Sequence, residues 1–137
     1  YGTDMNSIEE RVVALLKEKG KKIATAESCT AGYIPKRLTD IPGASEVFEC
    51  GIVSYSNDIK TKLLGVSLKT LETYGAVSEQ TAREMALGAK RVSGADIAIS
   101  TTGLAGPGRR RFPARRTELC DGHGRRAHGR RKDSHRS

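Results

Sequence analysis

The feature that most limits what this chain can fold into is a break in texture after Gly108. The 29 residues that follow hold ten Arg and one Lys, with no Val, Ile or Met. Only Phe112, Leu119 and Cys120 offer sizeable apolar side chains there. Fixing a residue costs on the order of 1–2 kcal/mol of backbone entropy, which so few apolar groups cannot offset. The expectation is a disordered Arg-rich tail over 109–137 that pairs with no strand of the domain before it. Residues 6–108 then form one domain with a buried core, and residues 1–5 read as a linker remnant.

The same break partitions the charge. The whole chain carries a net +8, yet residues 1–108 hold 13 basic and 13 acidic side chains. The tail, with 11 basic and 3 acidic groups, supplies the entire excess. The folded part therefore gives no electrostatic reason to bind a polyanion. All three histidines, His123, His128 and His135, lie in the tail. A Ser-His-Asp triad is thereby excluded from the domain, whose acid–base chemistry must use Lys, Tyr, Asp, Glu or a thiol. Cys29, Cys50 and Cys120 are odd in number and form no Cys-x-x-Cys pair. With no apolar run long enough for a signal peptide or a membrane span, they point to a reduced, cytoplasmic setting.

Strand and helix signals alternate along residues 6–108. Ser7 with Glu10 reads as a capping box before Ile8, Val12, Leu15 and Leu16, and Gly20 as a left-handed stop. Lys22–Ala26 reads as a short strand leading into a helix that runs to about Leu38. Asp40-Ile41-Pro42-Gly43 marks a turn, and Val47–Tyr55 carries the strongest β-propensity. Ser56 or Asn57 opens a helix through Leu64, and Ser67–Tyr74 forms another. A longer helix starts at Ser78-Glu79, with Ala82, Met85, Ala86 and Ala89 on one face. Ala95–Ser100 reads as a buried strand. This alternation predicts a layered α/β fold.

Three segments bring reactive groups to strand ends, where α/β folds usually build their sites. In Ala26-Glu27-Ser28-Cys29-Thr30-Ala31-Gly32, Ser28 is either a nucleophile beside helix N-terminal amides or, with Thr30, a helix cap. Cys29 is a rival nucleophile, with packing as the plainer reading. In Tyr55-Ser56-Asn57-Asp58-Ile59-Lys60, Lys60 is either a surface residue or a lysine held in a cleft. Burial would lower its pKa and make it a base. Tyr55 is either a proton relay or strand packing. The third segment, Ser100 to Gly108, is a strand running into a glycine-rich turn able to approach an anion closely. It carries neither a Walker lysine nor a dinucleotide fingerprint. Cys120 with His123, His128 and His135 lacks the spacing of a zinc site, so no metal and no cofactor is expected.

Taken together and in order, Ala26-Glu27-Ser28-Cys29-Thr30, Tyr55-Ser56-Asn57 with Lys60, Gly75-Ala76-Val77-Ser78 and Thr102-Gly103-Leu104-Ala105-Gly106-Pro107 resemble the CinA C-terminal domain family. That family comprises the nicotinamide-nucleotide amidohydrolases. The resemblance implies a three-layer α/β/α sandwich that hydrolyses the amide of nicotinamide mononucleotide to the acid and ammonia. It implies Ser28 as nucleophile, Lys60 as base and Tyr55 nearby, with substrate contacts from Thr30, Gly32, Thr102, Gly103, Ala105 and Gly106. Ala31 stands where the family usually has a second glycine. Tyr1-Gly2-Thr3-Asp4 resembles the linker of two-domain CinA proteins, so an N-terminal domain is expected upstream.

The family continues past Gly-Pro with further strands and a last helix, and Arg109-Arg110-Arg111 stands there instead. Glycine codons read one base out of register give arginine, so a truncation or frame shift near residue 108 is expected. Two other functions stand beside the amidase: a non-enzymatic module binding nucleic acid through the basic tail, and an inactive truncated homologue. A small-molecule substrate is the expected partner of the domain. Specific nucleic acid and membrane are not, and a homo-oligomer is left open.

Overall fold

A computed structural model describes residues 7–103 and the strand at 116–120. Helix α1, Ile8–Lys19, opens where Ser7 Oγ accepts the Glu10 amide at 3.2 Å and closes on Gly20 at φ 61°. Its inward stripe is Val12, Val13 and Leu16. Ile8 and Leu15, expected on that stripe, face solvent instead. Strand β1, Ile23–Glu27, is buried along its whole length. After it come α2 (Tyr33–Thr39), a 3-10 turn (Ala44–Glu46) and β2 (Phe48–Val53). Three helices follow: α3 (Asn57–Leu64), α4 (Leu68–Tyr74) and α5 (Glu79–Ser93). Each is capped by the serine just before it, Ser56, Ser67 and Ser78 respectively. The chain then enters β3, Ile97–Thr102.

The described sheet runs in the order β2-β1-β3-β4, with β1 parallel to both neighbours. Alternate strand residues face opposite layers, as the two-residue period requires. Ile23, Ile97 and Ile99 meet Val13 and Leu16 of α1 and Leu38 of α2. Ala24, Ala26 and Ala98 meet Leu64, Met85, Ala86 and Ala89 on α3 and α5. Small residues on that second face let α5 sit close to the sheet. Gly88 lets α3 and α5 touch, because a Cβ there would stand 2.0 Å from the Leu64 carbonyl oxygen. The result is an α/β/α sandwich, the expected fold class.

The tail expectation needs correcting. Strand β4, Arg116–Cys120, pairs antiparallel with β3, from Ala98 opposite Cys120 to Thr102 opposite Arg116. The expectation weighed side-chain apolarity alone. A ladder is made by backbone groups, and the second edge of β3 would otherwise present unpaired N–H and C=O. Leu104, Ala105, Gly106, residues 109–115 and 121–137, and the linker reading of residues 1–5 lie outside the described residues. So do the histidines of the rejected zinc set.

Candidate active site

The connection β1–α2–β2 lies on one face of the sheet and β2–α3–α4–α5–β3 on the other. They part at β1, so a crevice opens at the carboxyl ends of β1 and β3, where open α/β sheets take their ligands. Most of the buried polar side chains gather towards this end: Glu27, Ser28, Ser54, Thr101 and Thr102 on or just past the strands, and Lys60 on α3.

Lys60 is the most informative of them. It is 1% exposed, and Nζ donates to the main-chain oxygen of Tyr55 at 3.0 Å. None of the ion pairs among the described residues includes it. An ammonium out of water without a carboxylate is costly, and the group responds by giving up its proton more readily. Burial accordingly holds the Lys60 pKa below the ordinary lysine value, with the neighbouring Cys29 acting in the opposite sense. Of the two readings of this lysine, the surface one is excluded.

The segment after β1 differs from its expected form. Helix α2 begins at Tyr33, so Ser28 and Thr30 lie in the turn ahead of it and neither caps it. The cap residue is Gly32 at φ 101°, without a side-chain hydrogen bond of its own. Glu27 takes over that task. Its carboxylate, 0% exposed, accepts the Gly32 amide at 3.1 Å and the Ile34 amide at 3.2 Å. Pro35 is the signal that could have placed this start: it lacks an N–H, so it belongs in a first helical turn rather than an interior one. Ala31, at φ 50°, adopts the left-handed conformation that glycine takes without strain.

Ser28 is 6% exposed, its amide donating to the Thr101 oxygen at 3.2 Å. Its hydroxyl makes no hydrogen bond to any described residue, Lys60 included. Thr30 Oγ1 and Thr101 Oγ1 lie 2.8 Å apart and tie the turn to β3. Thr102 Oγ1 donates to the Ala76 oxygen at 2.7 Å, so its proton is engaged within the fold. Gly32 and Gly103 are partly exposed at this end of the sheet. Tyr55 is 67% exposed, and what meets Lys60 is its carbonyl, not its phenol. Cys29 is partly buried. The described residues contain no cluster of metal-ligating side chains. The sequence reading missed Glu27 and Thr101, both quiet residues inside strands. At the opposite end of the sheet Thr39–Ser45 and Phe48 line a shallow concavity with none of these groups.

The sequence model of the CinA C-terminal domain matches residues 5–113. The chain belongs to the CinA C-terminal domain family. A CinA-like protein of Chlorobium limicola is 57% identical over 107 residues, 78% of this chain and 25% of that protein. A CinA-like protein of Chloroherpeton thalassium is 57% identical over 108 residues, 79% of this chain and 26% of that protein. The chain thus spans about a quarter of the curated relatives it matches. Among solved structures, the competence/damage inducible protein CihA from Agrobacterium tumefaciens superposes with a TM-score of 0.80 at 41% identity. That match covers 85% of this chain and 73% of the other. A CinA superfamily protein from Klebsiella pneumoniae also gives 0.80, at 33% identity. These are CinA folds over most of their length. No helix among the described residues is long and apolar enough to cross a membrane.

Proposed function

We propose that this CinA domain is an amide hydrolase that deamidates nicotinamide mononucleotide to the acid and ammonia, using Ser28 and Lys60. The observation that carries the reading is Lys60, a buried amine without an acidic partner among the described residues. Such a group is poised to be a neutral base, and no histidine of the described domain competes for the role. Lys60 takes the Ser28 hydroxyl proton as Oγ bonds to the carboxamide carbon. The proton then passes to the departing nitrogen, which leaves as ammonia. Water, deprotonated by the same amine, cleaves the acyl-serine and releases the acid. Thr30, Gly32, Thr102 and Gly103 are proposed to line the substrate, joined by Ala105 and Gly106. Tyr55 is proposed to contribute its carbonyl to the placement of Lys60.

Cys29, free and partly buried next to Ser28, is the rival nucleophile, so the test pits the two against each other. Ammonia release from nicotinamide mononucleotide is measured for Ser28→Ala and Cys29→Ala. Ser28→Ala is expected to lose on the order of 10³-fold or more in kcat, as nucleophile removal generally does. Cys29→Ala is expected to keep most of it. A dead cysteine variant beside an active serine variant reverses the assignment.

A further inference from the structure

The carboxyl end of β3 carries two threonines in succession, and alternation along the strand turns them to opposite layers. Thr102 Oγ1 donates to the Ala76 oxygen at 2.7 Å, in the loop before α5, so its proton is spent inside the fold. Thr101 is its counterpart on the side of α2. Its main-chain oxygen accepts the Ser28 amide at 3.2 Å, and its Oγ1 lies 2.8 Å from Thr30 Oγ1. One strand residue thus holds the segment Ser28-Cys29-Thr30 at both ends.

The two hydroxyls of that pair own one proton each, and only one proton can lie between the oxygens. Burial decides which. Thr101 is 4% exposed, whereas Thr30 is partly exposed. Glu27, opposite Thr101 in the β1–β3 register, has its carboxylate oxygens turned to the Gly32 and Ile34 amides. If Thr30 donated, the Thr101 proton would point into a buried side with no acceptor among the described residues. A buried donor left unpaired costs its full desolvation. If Thr101 donates, its proton is satisfied and the Thr30 proton is left to the open side.

We propose that Thr101 is a positioning residue that sets the Thr30 hydroxyl as a hydrogen-bond donor into the crevice, where it selects ligands that present an oxygen acceptor. The proposal rests on the reading of the crevice as the mononucleotide site. Of the two threonines assigned to its lining, Thr102 has no proton to give, so the donor role falls to Thr30. A fixed donor discriminates against a ligand that offers it no acceptor, because the hydroxyl is then left unpaired. Thr101 itself touches no ligand; it acts through Thr30.

Calorimetry gives the Kd of nicotinate mononucleotide, the acid product of the proposed reaction, for the full chain and its variants. Thr30→Val should weaken binding on the order of tenfold, the worth of one hydrogen bond. Thr101→Val fills a similar volume and suits a strand, but it frees the Thr30 hydroxyl among its three staggered positions. It should weaken binding about threefold or more. Thr101→Ser keeps the donor and should bind as the wild type does. In the double variant the Thr101 change should add nothing to Thr30→Val, because it has nothing left to act through. Equal effects of Thr101→Val in both backgrounds would show it to be scaffold only and overturn the proposal. So would a serine variant as weak as the valine one, or a valine variant that binds as tightly as the wild type. Turnover of nicotinamide mononucleotide is a separate readout. There the loss should fall on KM more than on kcat, since the Thr30 donor holds substrate and transition state alike. A wild type that binds the acid but releases no ammonia sinks the amidase reading, and the binding cycle still decides for or against Thr101. A wild type that binds neither mononucleotide overturns both.

Discussion

The two ends of one sheet are built from different materials. At the amino ends of the strands, Ile23, Val47 and Ile97 meet Leu16, Leu38 and Ala44 in apolar contact. At the carboxyl ends the same strands finish in Glu27-Ser28, Ser54 and Thr101-Thr102, all buried, with Lys60 above them. Burying polar side chains stabilises little even when every group is bonded, so the fold draws its stability from the first end. The second end spends some of it on a lysine with no counter-charge among the described residues. Sites that break the local rules in this way mark function more often than error.

The sharpest way to break the contrast is at Lys60. Lys60→Arg keeps a cation but cannot offer a neutral amine near neutral pH, so it should be as inactive as Lys60→Ala, on the order of 10²-fold or more below wild type. In the wild type, kcat/KM should rise with pH through a lysine pKa below the ordinary value, as the base becomes deprotonated. An active arginine variant with a flat profile would leave the lysine a mere anchor for the substrate's phosphate.

The amino end should behave in the opposite way. Leu16 is nearly fully buried between α1, β1 and α2. Leu16→Ala should cost about 2–5 kcal/mol of stability, read from urea unfolding. Below the melting transition it should leave kcat where it was. A large change in turnover at constant fold would mean the two ends are coupled through the sheet.

How much of this was legible in the sequence follows the same division. Ser7 as a cap, Gly20 as a stop and the helix starts at Ser56 or Asn57, Ser67 and Ser78 could be read directly, because capping is local chemistry between neighbours in the chain. The α5 face of Ala82, Met85, Ala86 and Ala89 was legible from its spacing. The start of α2 was not, because the group that caps it, Glu27, precedes Gly32 by five residues and lies in a strand. The burial of Lys60 is likewise a property of packing between α3 and the rest, invisible in a segment that reads as a polar helix start. The pairing of β4 was missed because ladder formation depends on an available backbone edge, which only the assembled sheet reveals.

That strand supplies the next test. A chain ending at residue 108 loses β4, turning β3 from an interior strand into an edge. Five pairings disappear with it. Its unfolding free energy should fall by more than the ~0.5 kcal/mol typical of surface changes, and the bared edge should promote association. Sedimentation of the two chains at equal concentration reads the second effect. A truncated chain as stable and as monomeric as the full one would return the tail to the status of an appendage.

The smallest expected effect concerns what Lys60 costs the fold. Its folded pKa lies below the unfolded value of 10.5. Between those two values the unfolded chain binds more protons than the native one, so stability rises with pH in that window. Below the folded pKa both states carry the proton, and the native state bears the full penalty of burying it. Lys60→Met replaces the side chain with one of similar length and no charge, at the loss of a single hydrogen bond to the Tyr55 carbonyl. The variant should therefore be the more stable protein at about pH 7, by more than the ~0.5 kcal/mol scatter of neutral surface changes. Its advantage should shrink as pH is raised towards 10.5, because only the wild type gains there. Urea midpoints for both proteins across that range give the two curves. Parallel curves would mean that Lys60 titrates alike in the folded and unfolded chains. The amine would then be reached by water, and the polar end of the sheet would carry no stored cost for catalysis to use.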